Sequence, residues 1–174
     1  MRERVTEPRL QRFMHALSRD VEHEGRVYLT GGACAVLLGW RTSTLDVDLK
    51  VYPEQEEVLR AIASLKESLN MNIELASPDD FIPELPGWQD RSRFIARHGK
   101  LSFHHYDFYA QALAKIERGH DIDREDVRQL LEARLIEPQK LRELFDAIEP
   151  ELYRYPAIGP QRFRRAVESA LPLQ

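Results

Sequence analysis

Residues Leu45–Val51 (Leu-Asp-Val-Asp-Leu-Lys-Val) alternate apolar and polar side chains without a break. A period of two specifies a strand with one dry and one wet face. Side chains at i and i+2 share a face, so Asp46 and Asp48 project together. Two carboxylates held that close repel each other unless something cationic sits between them. Hard oxygen ligands on a rigid strand suit Mg²⁺ or Mn²⁺, ions that keep positions open for phosphate oxygens.

Upstream, Val27–Thr30 reads as a short buried strand and Ala33–Leu38 as a short apolar helix, with Gly31-Gly32 at their junction. Glycines there let the backbone approach a ligand closely. The unpaired N–H groups of a helix start face an anion. A polyphosphate on that bend would reach a metal held by Asp46 and Asp48. Arg41, Thr42, Ser43 and Thr44, just before the metal strand, add donors for the same phosphates. Gly-Gly or Asp-x-Asp alone is usually structural. Their order (strand, Gly-Gly, helix, Asp-x-Asp strand) is far more specific and makes a functional site the expectation.

Leu29-Thr30-Gly31-Gly32 followed by Leu45-Asp46-Val47-Asp48-Leu49 resembles the signature of the polymerase-beta-like nucleotidyltransferase superfamily: hydrophobic-Gly-Gly/Ser, a short spacer, then Asp-hydrophobic-Asp/Glu. The runs Ser77–Pro83 and Ala114–Gly119 are similar to those of a bacterial branch of minimal, stand-alone nucleotidyltransferases related to abortive-infection and toxin–antitoxin enzymes. The core likeness spans roughly residues 27–126. It implies transfer of a nucleoside monophosphate from an NTP to a hydroxyl, with Mg²⁺ or Mn²⁺ as cofactor. It also implies a third carboxylate from the next core strand. Glu74 in Asn72-Ile73-Glu74-Leu75 stands where that strand should run, as a metal ligand and an aid to deprotonating the acceptor; Asp79, Asp80 and Asp107 compete for the role.

A second constellation is Lys115-x-x-Arg118, then Asp123-x-x-Asp126. On one helix Gln111, Lys115 and Arg118 share a polar stripe opposite Tyr109, Leu113 and Ile116. The spacing resembles a motif of toxin-side nucleotidyltransferases. That likeness implies a catalytic and nucleotide-binding Lys115, with Arg118 and Asp126 also contacting nucleotide. The residues themselves equally allow Asp123 to cap the following helix, with Asp126 in its first turn.

The expected fold class is α/β (α+β): a small mixed sheet flanked by helices over residues 1–106, then a C-terminal helical region, 107–174, packed on that core. Helical spacing in Leu10, Phe13, Met14, Leu17 and Val21 predicts a first helix closed by Gly25, with Thr6 and Pro8 as start signals. Val58, Leu59, Ile62, Leu65 and Leu69 predict a helix after Pro53, and Met71–Leu75 a strand. Residues 76–99, broken by Pro78, Pro83, Pro86 and Gly87, read as a packed loop holding Phe81, Ile82, Leu85 and Trp88, or as a flap over the nucleotide. Leu101–Tyr106 reads as a strand. Helices are expected at about 107–118, 123–134, 138–148 and 160–170, with 153–160 as a linker.

Composition sets outer limits. The 174 residues are 43% hydrophobic and 31% charged, an ordinary globular balance. No apolar run approaches the roughly 20 residues of a membrane span, and the first residues carry no apolar leader, so a cytoplasmic protein without a membrane partner is expected. The single cysteine, Cys34, excludes an intrachain disulfide and reads as a packing residue. A net charge of −4 argues against broad nucleic-acid binding but leaves room for a local RNA contact. Arg154, Arg162, Arg164 and Arg165 bias the C-terminal end towards positive charge, as solvated surface or as a polynucleotide-facing patch. His104 and His105 are neighbours in a strand and cannot form one site.

The expected function is therefore metal-dependent transfer of a nucleoside monophosphate to a hydroxyl of RNA (tRNA included) or of a partner protein, with a toxin–antitoxin pair as one setting. The alternative is a catalytically inactive nucleotide-binding or partner-binding module on the same fold.

Overall fold

A computed structural model describes residues 1–173. They form two compact units. The first comprises Met1–Ser77 and Ser92–Tyr106; the second comprises Pro78–Arg91 and the chain from Asp107 onward.

The first unit is a five-stranded mixed sheet with helices. Its elements are α1 (Glu7–Ser18), β1 (Gly25–Thr30), α2 (Gly32–Leu37), β2 (Asp46–Tyr52), α3 (Glu56–Ser68), β3 (Asn72–Leu75), β4 (Arg93–His98) and β5 (Leu101–His105). The spatial order is β3-β2-β1-β5-β4. β1 runs antiparallel to β2 and parallel to β5; β3 is parallel to β2, and β4 is antiparallel to β5. This is the mixed sheet the sequence predicts, with a helical segment following it.

Register divides the sheet into two chemical faces. Leu29 pairs with Leu49, Val27 with Val51 and Phe103, and Val47 with Ile73; all are buried. Burying each such side chain stabilises the fold by about 1.5–3 kcal/mol. The residues between them fall on the opposite face: Tyr28, Thr30, Asp46, Asp48, Lys50, Asn72 and Glu74. α1 packs on α3 and α2, and Leu10, Phe13, Met14 and Leu17 of α1 are buried. The helix ends at Ser18, well before Gly25, leaving Val21 outside it. Leu45 lies just before the strand and is 58% exposed, so the alternation is half-buried only from Asp46 onward.

The segment expected to be a loop is the main correction. Residues 93–98 form β4, a hairpin partner of β5 with a register shift between Phe94 and Ala96. β4 is an edge strand, and Arg93, Phe94 and Arg97 are exposed, so its sequence lacks the apolar alternation that marks a half-buried strand. Within the second unit, Pro78–Asp80 is a 3₁₀ turn and α4 (Trp88–Arg91) a single helical turn. Ile82, Leu85 and Trp88 are buried there as expected, whereas Phe81 is 59% exposed.

The second unit continues with α5 (Phe108–Arg118), α6 (Asp121–Glu132), α7 (Pro138–Ile148) and α8 (Pro160–Ala170). Gly119 closes α5 at φ 73°, a left-handed position that glycine adopts without steric cost. Glu149–Arg154 is a 3₁₀ helix, so regular structure enters the expected linker. The linker is also anchored: Tyr155 Oη donates to the Asp79 carbonyl at 3.0 Å, and Ile158 is buried. Asp107 caps α5 by accepting from the Tyr109 amide at 3.1 Å, and the Arg91 guanidinium donates two hydrogen bonds to it, at 3.1 and 2.8 Å. Burial pushes the Asp107 carboxyl up from its ordinary pKa, and the Arg91 fork opposes that shift.

Two consequences can be measured. Arg91→Met leaves the Asp107 carboxylate buried without its guanidinium, and urea unfolding at pH 7 is expected to show a loss of about 3–5 kcal/mol. The deficit should shrink as pH falls and Asp107 takes up a proton, which burial favours; a deficit that does not change with pH would show the carboxylate to be stabilised some other way. The second consequence concerns His105, on the apolar face beside Leu29. Burial first, then Arg93 and His104, push its pKa down from 6.5 to about 4. The unfolded chain is therefore protonated first, so stability falls as pH drops from 6.5 towards 4, by up to about 3 kcal/mol. His105→Gln should flatten that part of the stability-against-pH curve, and an unaltered curve would rule the mechanism out.

Candidate functional site

β1 delivers the chain into the glycine bend, and β2 runs back beside it with Thr30 opposite Asp48. Gly31 has φ 64° and ψ −134°, a conformation essentially restricted to glycine. A Cβ built on Gly31 would lie 3.4 Å from Asp48 Oδ2, so the bend and this carboxylate are in contact distance. Gly32 has a different reason to be glycine. A Cβ there would sit 2.1 Å from Thr44 Oγ1 and 2.8 Å from Thr44 Cβ, with Arg41 Nη1 at 3.4 Å. The 41–44 connection therefore folds directly against the bend.

The four donors expected from that connection are not equivalent. Thr44 Oγ1 donates to the Asp46 carbonyl at 3.2 Å, and the Thr44 backbone bridges to Val5. Ser43 Oγ accepts from Arg4 Nε at 2.7 Å. Both hydroxyls thus hold the N-terminal segment and the start of β2. Arg41 lies beside Gly32 and is the cation of this group nearest the bend.

Asp46 and Asp48 share one face of β2, as their spacing requires, and both are partly exposed. Parallel pairing with β3 sets Asn72 beside Asp46 and the exposed Glu74 beside Asp48. The Asn72 amide donates to Asp46 Oδ1 and, at 3.2 Å, to Glu74 Oε1. Asn72 therefore orients two of the three carboxylates. Sequence reasoning passed it over, although it lies two residues before Glu74 and so on the same strand face. Among the described residues no group of three or more His, Cys, Asp or Glu side chains forms a ready-made metal cage. Asp46, Asp48 and Glu74 instead make an open row of hard oxygens. That donor set fits a magnesium-type ion, which takes one or two carboxylates and fills its other positions from water and phosphate.

The second constellation lies entirely in the helical unit and is internally paired. Lys115 Nζ donates to Asp126 at 2.7 Å and lies 3.9 Å from Asp123. Arg118 grips Asp123 with two hydrogen bonds, at 2.8 and 2.6 Å. Asp123 is fully buried. Burial opposes its charge, but Arg118 and then Lys115 outweigh that, and its pKa is lowered. Asp123 also accepts from the His120 amide at 3.2 Å, so it caps α6 from inside the first turn while His120 occupies the N-cap position. The expected polar stripe of α5 is wet only at its end: Gln111 is 4% exposed and the Lys115 side chain 12%, whereas Arg118 is 58% exposed. The α6 carboxylates Asp123 and Asp126 draw Lys115 inward, a feature that helical periodicity cannot reveal.

Of the competing carboxylates, Asp107 caps α5 and is held by Arg91; the backbone carbonyl of Asp79 accepts from Tyr155. Cys34 is buried and its thiol donates to the Leu29 carbonyl at 3.2 Å. His105 faces the apolar layer, whereas His104 stacks at 5.5 Å from Tyr28 on the other face. Of the C-terminal arginines, Arg164 pairs with Glu149 and Asp146, Arg162 with Glu117, and Arg154 with Glu151, which makes much of that basic bias a network of surface ion pairs.

No helix among the described residues is long and apolar enough to cross a membrane. No curated protein and no solved structure matches the chain. A family model described as "Nucleotidyltransferase of unknown function (DUF6036)" matches residues 9–164, from within α1 to within α8. The glycine bend, the paired aspartates and the helical segment thus all fall within the matched region, and the chain belongs to this nucleotidyltransferase family.

Proposed function

We propose that the protein transfers a nucleoside monophosphate from an NTP to a hydroxyl of RNA or of a partner protein, in a divalent-metal-dependent reaction. The observation that carries this reading is the contact of the Gly31 bend with Asp48 on the strand face it shares with Asp46. An anionic chain lying on a bend with no side chains comes within reach of a cation held by those acids.

Asp46 and Asp48 hold the metal, and Glu74 completes its carboxylate set. When bound, a magnesium ion neutralises phosphate charge and lowers the pKa of a coordinated hydroxyl. Gly31 and Gly32 let the backbone lie against the triphosphate, and Arg41 meets its negative charge from the side. Asn72 holds Asp46 and Glu74 in orientation through its amide. Lys115, with Asp126 and Asp123 as its partners, acts from the helical unit by holding α5 and α6 in register, in preference to a direct contact with phosphate.

A non-catalytic module is the competing reading, favoured by the Asn72 amide, which already occupies lone pairs of Asp46 and Glu74. Labelled ATP, CTP, GTP and UTP, each with Mg²⁺ and cell extract, separate the two readings. Label should move to an RNA or protein fraction with the wild type and disappear with Asp46→Asn or Asp48→Asn. Asn72→Ala should lower transfer about 10–100-fold, the usual cost of removing a group that orients a metal ligand. Folded wild-type protein that transfers none of the four nucleotides, while still showing Mg²⁺-dependent nucleotide binding by calorimetry, would establish the module instead.

A further inference from the structure

The helical unit contains a cavity of about 600 Å³, within the size range of sites that take a nucleotide-sized ligand. It opens among α5, α6 and α8. Five cations line it: Lys115, Arg118, Arg124, Arg128 and Arg162. Asp123 is the one carboxylate residue in the lining. The apolar part of the wall comes from Ile116, Val127, Leu131 and Ala166. No residue of the glycine–aspartate site contributes to it.

Lys115 and Arg118 are held by the buried Asp123 and Asp126, whereas the other three cations pair at the surface. Arg124 pairs with Asp121 at 3.1 Å, Arg128 with Glu125 and Glu132, and Arg162 with Glu117. None of those acids is in the cavity lining. The side chains of these three arginines are more than half exposed. Solvent-exposed pairs such as Arg124–Asp121 and Arg128–Glu125 contribute about 0.2–1 kcal/mol each, so at these two arginines an incoming phosphate exchanges for a carboxylate at little cost. Glu117, the partner of Arg162, is 18% exposed, and there a phosphate adds to the pair instead of replacing it. A guanidinium fork matches phosphate geometry. With a net charge of −4 over the whole chain, the cationic wall of this cavity is a local feature.

We propose that this cavity binds single-stranded RNA, with one unstacked base against the Val127–Leu131–Ala166 wall and the flanking phosphates on Arg124, Arg128 and Arg162. A duplex keeps its bases stacked and cannot fill the apolar part, whereas a single strand can splay a base into it. An acidic peptide would satisfy the arginines but brings no flat apolar group beside each charge. Acting as the docking point of an RNA acceptor rests on the transfer reading above; the binding itself does not.

The test uses the full chain in EDTA, so that no divalent metal contributes, and follows fluorescence anisotropy of a labelled single-stranded oligoribonucleotide. Wild type should bind with a log–log salt slope of about −2, as expected for three phosphates on a single strand. The double variant Arg128→Gln/Arg162→Gln, both at exposed positions, should weaken binding at least about tenfold and reduce the slope by about one to two. Asp46→Asn should bind as wild type does, and a duplex of equal length much more weakly. Failure of the wild type to bind overturns the proposal. So does binding that the double variant retains, binding lost in Asp46→Asn, or displacement by poly-glutamate as effective as by unlabelled RNA. RNA binding that persists where no nucleotide transfer is found would sink the transfer reading and leave this one standing.

Discussion

The antiparallel register between Gly25–Thr30 and Asp46–Tyr52 decides the chemistry of the first unit. With Leu29 opposite Leu49 and Thr30 opposite Asp48, Val47, Leu49 and Val51 of β2 enter the core and both aspartates emerge on the other face. A slip of one residue would invert that assignment, burying two carboxylates and exposing the core. Hydrophobic burial therefore fixes the orientation of the acids, and no bound ion is needed to do so. The Gly32–Thr44 approach then closes the connection between α2 and β2 tightly enough to bring Arg41 to the bend.

The two units solve the problem of buried charge differently. In the sheet the acids lie at an accessible face, where the Asn72 amide orients Asp46 and Glu74. In the helical unit Asp123 and Asp126 are buried and matched by Lys115 and Arg118. The first arrangement keeps carboxylate oxygens at an accessible face. The second is self-satisfied, and removing one member would strand a charge in a low-dielectric interior. Similar residue types, spaced two or three apart, thus serve an open site in one unit and an internal brace in the other.

The strongly periodic elements were legible in the sequence. Period two in Leu45–Val51 gave both the strand and the shared face of Asp46 and Asp48, and helical spacing gave α5, α7 and α8 nearly to the residue. β4 escaped because an edge strand need not bury alternate side chains, and Arg93-Phe94-Ile95-Ala96-Arg97-His98 follows no simple pattern. Asn72 escaped because an amide between two acids is recognisable only once the strand pairing is known. The inward position of Lys115 escaped because a stripe of polar residues looks the same whether it meets water or carboxylates from a neighbouring helix. Gly31 and Gly32 also have separate structural reasons to be glycine that adjacency in sequence does not reveal: one answers a backbone torsion and the other the close approach of the Thr44 side chain.

The course of the chain has a consequence for any attempt to dissect the protein. Residues 78–91 belong to the helical unit, yet they are bracketed in sequence by strands of the sheet, and the Arg91 they carry grips the aspartate that opens α5. A cut at residue 106 would leave the downstream fragment without that guanidinium and the upstream fragment with an orphaned excursion. Neither half is a contiguous stretch of chain that a single cut could separate from the other.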